Sequence, residues 1–389
     1  MKQLWRAFFW CVFFVFLSLT AWRVLARPSA PQQDHNSAEG FRLALPHYKY
    51  AFPRDHGSHP QYATEWWYYT GHLKSNDDGR QFGYQLTFFR IALIPKLNHR
   101  TSQWAARDII FAHLALTNET TGKFYFDERI SRANLGLAGA QNSTSIPRVW
   151  LDDWNLQFGD NGNKQTLSAS GMDKSSTAFG IELSQRALKR PVVHGVNGIS
   201  QKSAGRGHAS HYYSYPRLET AGTVKLDGKE YSVSGLSWFD HEFGSNQLSV
   251  EQSGWDWFSM QLDDGRELMI YQLRLKNGNL DPFSSGTLIE KDGRSKHLNL
   301  DAFRIEVLDH WSSPASNTRY PSRWKISLPN ENLSLAIEPT VAGQELDTKG
   351  STGIIYWEGS VRVLDGDNKV IGRGYVELTG YAQAFNGTF

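Results

Sequence analysis

Trp66-Trp67-Tyr68-Tyr69, then Asp77-Asp78-Gly79-Arg80, then Tyr84-Gln85-Leu86: an aromatic strand, a tight turn and a second strand. The same series returns past the middle of the chain as Trp255-Asp256-Trp257-Phe258, Asp263-Asp264-Gly265-Arg266 and Tyr271-Gln272-Leu273. The far ends of the two halves also match. Gly222-Thr223-Val224-Lys225-Leu226 runs through an Asp-Gly turn to Gly235-Leu236-Ser237-Trp238, and Gly359-Ser360-Val361-Arg362-Val363 runs through another to Gly374-Tyr375-Val376-Glu377. Each half therefore opens and closes on a hairpin, which is the signature of an internal duplication. The seam falls near Asn246 to Gly254.

Other segments have the same character. Thr121-Gly122, Asn161-Gly162, Asn277-Gly278 and Asp292-Gly293 separate short runs rich in β-branched and aromatic residues. Phe82 to Phe89 and Glu267 to Leu275 approach the period of two expected of strands with one buried face. No long amphipathic helix is evident. Length agrees with two domains, since 389 residues exceed the roughly 100–200 that one core usually organises. The expectation is an all-β chain of two tandem antiparallel barrels, because closure removes the bare edges of many paired strands. Residues 41–248 form the first domain and 249–389 the second, behind a tether over 28–40 whose Pro, Gln, Ser and Asp content lacks periodicity.

Met1 to Arg27 carries Lys2 and Arg6 ahead of an apolar run from Ala7 to Trp22. That run is short for a membrane-spanning helix, and Val24-Leu25-Ala26 fits a small-residue cleavage site, so an export signal is expected, with a retained N-terminal anchor as the alternative. The expected location is the periplasm or the outer face of the inner membrane, with membrane contact through this segment. Cys11, the one cysteine, lies inside it, leaving the body without disulfides or a thiol nucleophile. A net charge of +2 without a dense basic block excludes an extended phosphate-binding surface, so no nucleic-acid partner is expected.

Three segments mix rings with ionisable groups: His59 to Leu73, His208 to Pro216 and Trp238 to Gly244. His211 precedes Tyr213 by two residues, as Trp238 precedes Asp240, so each pair shares a strand face. All four side chains are expected in one barrel interior. Plainer readings stand beside this. Trp66 to Tyr69 can be a packed strand, Asp240-His241-Glu242 a turn at the seam, and Glu65 the ion partner of Arg90 or Arg107. His208, His211, His241 and Glu242 match no specific zinc spacing, and no nucleophile elbow for a serine hydrolase occurs.

The stretches EWWYYTGHL (65–73), WAARDIIFAHLALTN (104–118) and WFDHEFGS (238–245) resemble the carotenoid 1,2-hydratase (hydroxyneurosporene synthase) and AttH-like superfamily, over about Tyr62 to Phe389. The resemblance implies two lipocalin-like barrels with a hydrophobic-ligand pocket in or between them. In hydratase members it implies acid-catalysed addition of water to an isoprenoid double bond, with His211, Tyr213, Trp238 and Asp240 on the family's functional positions. The two rings are exchanged relative to the hydratase pattern, which has Trp then Tyr. Asp240 is then the expected proton donor and His211 the group that handles water. Tyr213, Trp238, Trp66, Trp67, Tyr69 and Glu65 are expected against the ligand. No cofactor or metal is expected. A carboxyl kept neutral by an apolar pocket is acid enough for the task, and ring faces stabilise a carbocation. The expected partner is an isoprenoid or acyl molecule; a non-catalytic carrier serving an envelope transporter is the second reading.

Overall fold

In the computed structural model, residues 40–95, 105–141, 146–246 and 248–384 are described. The stretch expected to be an export signal, Cys11 and most of the expected tether therefore lie outside the described residues. Two antiparallel sheets carry the chain. The first is built from β1 (Thr64–Ser75), β2 (Gln81–Ala92), β3 (Asp108–Asn118), β4 (Lys123–Arg132), β5 (Ala138–Gln141), β6 (Arg148–Leu151) and β7 (Trp154–Gly159). It continues with β8 (Lys164–Met172), β9 (Ala178–Ala187), β10 (Val192–Val193), β11 (Ser200–Gln201), β12 (Ala209–Leu226) and β13 (Lys229–Gly244). The ladder runs β4-β3-β2-β1-β13-β12-β9-β8-β7-β6-β5, and its two ends pack against each other, so the barrel is nearly closed.

The second sheet comprises β14 (Gln252–Leu262), β15 (Glu267–Leu275), β16 (Ser285–Ile289), β17 (Ser295–Asn299) and β18 (Arg304–Ser312). It is completed by β19 (Arg319–Leu328), β20 (Leu333–Pro339), β21 (Glu345–Thr348), β22 (Ile354–Leu364) and β23 (Val370–Leu378). The duplication is visible in the topology. In each sheet the strand that opens the half pairs with the strand that closes it: β2-β1-β13-β12 in the first, β15-β14-β23-β22 in the second.

Period two decides what each strand buries. Along β1, Trp67, Tyr69 and Leu73 enter the first barrel's core, with Phe239 from β13 and Tyr213 and Tyr215 from β12. In the second sheet Phe258, Met260 and Leu262 of β14 do the same, around Trp324 and Trp357. The alternate residues form a third apolar layer between the two sheets: Tyr68, Tyr212 and Trp238 from the first meet Trp257, Met269, Tyr271 and Tyr375 from the second. Each sheet is thus buried on both faces where the two meet, which explains why β12 reads as an unbroken buried run from Ala209 to Pro216. Pro216 interrupts that strand. Lacking an N–H, it sits at the register shift between Tyr215 and Leu218, upstream of which β12 pairs with β10 and β11 and downstream with β9.

Polar contacts also tie the layer. Arg217 reaches Glu267 at 2.5 Å, and Lys189 reaches the same carboxylate at 2.6 Å. Gln261 donates to the carbonyl oxygens of Pro216 and Ser237 at 2.8 and 2.9 Å.

Candidate functional site

Between the sheets lies a cavity of about 200 Å³, many times the roughly 10–15 Å³ a single water needs. Its walls come from matching strands of the two halves. Trp66 and Tyr68 of β1 face Trp255 and Trp257 of β14; Tyr212 of β12 and Tyr356 of β22 add hydroxyl-bearing rings. Tyr68 and Trp257 meet edge to face, with ring centroids 5.2 Å apart.

Into this aromatic space project Asp240, Glu242, Glu358, Glu377 and one cation, Lys202. Lys202 pairs with Glu242 at 3.0 Å and lies 4.1 Å from the centroid of the Tyr271 ring. Burial is the largest single influence and works against its charge, but Glu242, Tyr271 and Asp240 together outweigh it and hold the ammonium above the usual lysine range.

Asp240 is only 3% exposed. Trp238 donates to its Oδ1 at 2.6 Å, Tyr212 donates to its Oδ2 at 2.8 Å, and Ser214 donates to Oδ1 by a short bond. Burial nevertheless dominates and, helped by the charge of Glu242, pushes the carboxyl up to about 7 against those three donors. Behind Ser214 stands His194, whose Nε2 is 2.6 Å from the serine Oγ and whose Nδ1 is 2.8 Å from Thr287 Oγ1. Burial holds this imidazole at about 3, so it is neutral near pH 7.

The strand register sets a second acid in the corresponding place. Asp240 lies opposite Tyr68 on one side and Ser214 on the other. Glu377 lies opposite Trp257 and Glu358. With Trp66 matched to Trp255 and Tyr68 to Trp257, Asp240 corresponds to Glu377, Ser214 to Glu358 and Tyr212 to Tyr356. Gly235 then corresponds to Gly372, not Gly374, so the closing strands match two residues away from the best sequence overlap. The Tyr84/Tyr271 match also fails in register: Tyr84 lies in the first core and Tyr271 on the cavity. Burial pushes Glu377 up to about 7, and it pushes Glu358, facing Glu377, well above the carboxylate range.

The expectation that His211, Tyr213, Trp238 and Asp240 share one hollow is not met. In an antiparallel ladder, directly opposed residues point to the same face, and Asp240 is opposed by Ser214 while Tyr213 is opposed by His241. Asp240 and Trp238 therefore face the inter-sheet layer, whereas His211 and Tyr213 face the interior of the first barrel. There His211 bonds the Gly198 carbonyl at 2.9 Å and Tyr62 Oη at 3.1 Å, and burial lowers its imidazole to about 4. Tyr213 Oη meets His56 Nδ1 at 2.7 Å and His241 Nδ1 at 3.1 Å.

Of the other residues expected against the ligand, Trp66 lines the cavity. Trp67 and Tyr69 point into the barrel core, donating to the His56 carbonyl at 2.9 Å and Gln165 Oε1 at 2.7 Å. Glu65, also inside the barrel, meets Arg90 at 2.9 Å, His59 at 2.7 Å and His241 at 2.9 Å. Burial opposes its charge, yet Arg90 and the two imidazoles hold its carboxyl well below the usual range. His59, Glu65 and His241 bring three ligand-type atoms within 4.8 Å of one another. These atoms already hydrogen-bond each other, and the Arg90 guanidinium occupies the other carboxylate oxygen, so the trio is a satisfied ion network and a poor metal cradle.

Reading the sequence missed Tyr68, Tyr212, Ser214, Lys202, Glu358 and Glu377. The parity of the aromatic runs held the signal for the first three: in His211 to Tyr215 both strand faces carry polar or aromatic groups, so composition alone cannot say which set faces the cavity.

Comparison with known proteins shows the family and the fold. The profile of the AttH-like family matches residues 43–381. A crystal structure from Nitrosomonas europaea assigned to AttH is 32% identical, with a TM-score of 0.77 over 88% of this chain and 100% of that one. Kievitone hydratase from Nectria haematococca is 13% identical, with a TM-score of 0.62 over 89% of this chain and 98% of its own. CghA bound to Sch210972 is 12% identical, with a TM-score of 0.52 over 91% and 98%. Both likenesses are of fold. Among curated proteins no sequence matches. The chain belongs to the AttH-like family, and its fold is the lipocalin-like one shared with a hydratase.

Proposed function

We propose that the inter-sheet cavity binds an apolar, unsaturated molecule and that Asp240 acts on it as a general acid in a hydratase-like reaction. The observation that carries this reading is a buried carboxyl at the wall of an aromatic cavity, where burial disfavours its charged form. Neutral Asp240 gives its proton to one alkene carbon, and the positive charge on the other is met by the ring faces of Trp66, Trp257 and Tyr68. Water adds to that carbon, and the proton it sheds returns to the Asp240 carboxylate. While Asp240 is ionised, Tyr212, Trp238 and Ser214 donate to it. When it is protonated, the Ser214 hydroxyl can turn to His194 Nε2 instead. His211 takes no part, because it lies on the other face of β12. The likeness to kievitone hydratase supports the reading at the level of fold.

The body lies, on this reading, outside the inner membrane, in keeping with the apolar N-terminal run, within reach of a membrane-resident isoprenoid or acyl substrate. The test is incubation of the purified protein with a total membrane lipid extract in oxygen-18 water. Mass spectrometry is expected to find lipids that have gained one labelled water with the native protein and not with Asp240→Asn. Lipid that co-purifies equally with both proteins but gains no water would favour a carrier.

A further inference from the structure

The cavity has a second acid pole away from Asp240. At the second pole Glu358 and Glu377 sit directly across from each other on β22 and β23. Like charges in opposed positions of a ladder repel, and a buried carboxylate is normally paired. Among the described residues, neither is ion-paired to a cation: Lys202 is engaged with Glu242, while His113, which bonds Tyr356 Oη at 2.9 Å, is neutral because burial lowers it to about 3. Thr379 donates to Glu377 at 3.2 Å. The Trp255 side chain also favours the charge on Glu377, and the Tyr68 and Tyr356 hydroxyls favour that on Glu358, but burial outweighs them all, and Glu358 Oε1 has no partner in full hydrogen-bond geometry.

We infer that Glu358 and Glu377 form a receptor for a protonated amine, so that the cavity's ligand is an apolar molecule bearing a basic nitrogen. This rests on the reading of the cavity as the ligand site. An ammonium group brings donors for the orphaned Glu358 oxygen and for Glu377, and one positive charge to offset the facing pair. The rings around it supply the rest. Trp66, Trp255, Trp257 and Tyr68 line the same cavity, and a desolvated cation gains from aromatic faces. The pole around Asp240 is different, since a serine and not a second acid opposes it and the Lys202 ammonium is close enough to feel its charge.

The pH dependence follows from the groups facing the pair. Tyr68 and Tyr356 hold their protons, because burial and Glu358 push both phenols well above their usual range. His113 stays neutral, and Glu242 remains tied to Lys202. Asp240 sits at about 7 at the other pole, where it titrates in the same range as Glu377. Burial keeps Glu377 and Glu358 largely protonated at acid pH, so amine binding draws them into the ionised form and releases protons.

The experiment compares octylamine, octanol and octanoate by calorimetry on the whole protein. At pH 8 octylamine is expected to bind at least about tenfold more tightly than octanol, with octanoate weakest. The amine's advantage shrinks at pH 5, while octanol binding stays flat. In the doubly substituted Glu358→Gln, Glu377→Gln protein, the advantage disappears with octanol binding retained. Equal binding of octanol and octylamine by the native protein at pH 8, or an amine advantage that survives both substitutions, overturns the inference and leaves the cavity as a ligand site. Failure of all three probes to bind overturns the cavity reading as well. The native comparison requires no substituted protein to fold.

Discussion

Asp240 and Glu377 occupy corresponding positions in two halves of one duplicated chain, and their neighbours give them different chemistry. Asp240 is opposed by Ser214, which donates to it; Glu377 is opposed by Glu358, which cannot donate once ionised and repels it. One side of the cavity has become a lone acid with a furnished conjugate base, and the other a facing acid pair that, among the described residues, has no cation. Duplication supplied the backbone, and the residue opposite each acid decided what it became.

The largest expected effect separates the two poles directly. Asp240→Asn should lower the proposed hydration by about 10²–10⁴-fold, the usual contribution of a general acid, with lipid still bound. Glu377→Gln should lower it by under about tenfold on a neutral lipid, since Glu377 delivers no proton to the alkene. Equal losses would erase the distinction.

A smaller effect appears in stability. With its folded value at about 7 against an ordinary 3.8, the native protein binds the Asp240 proton more tightly than the unfolded chain does. Stability linked to Asp240 therefore falls as pH rises from about 4 to 7 and is level above, a change on the order of a few kcal/mol. Asp240→Asn should flatten that part of the curve in denaturant titrations at pH 5 and pH 8. A slope unchanged from the native protein would mean that Asp240 is ionised at both.

The smallest effect sharpens a different contrast, between the two faces of β12. His211→Gln should change hydration by less than about threefold, because the imidazole lies inside the first barrel bonded to Gly198 and Tyr62. A loss as deep as that of Asp240→Asn would return His211 to the chemistry.

Much of this architecture was legible in the chain. The recurring aromatic strands and Asp-Gly turns announced paired antiparallel ladders and a duplication, because both depend on local turn geometry and a period of two. Asp240 and Trp238 were legible as a pair for the same reason. What could not be read was the register between β12 and β13. A shift of one residue exchanges Tyr212 and Ser214 for His211 and Tyr213, and a strand buried on both faces gives no hydrophobic pattern to fix the choice. Glu358 and Glu377 escaped notice because each is an ordinary acid in its own strand; only their opposition across the ladder makes them unusual.

The central claim is that Asp240 holds a proton near neutrality at the cavity wall. Infrared difference spectroscopy of the native protein against Asp240→Asn tests it most directly. At pH 6 the difference should contain the carbonyl band of a protonated carboxylic acid, fading as pH rises through about 7. A carboxylate band already fully developed at pH 6 would contradict the account.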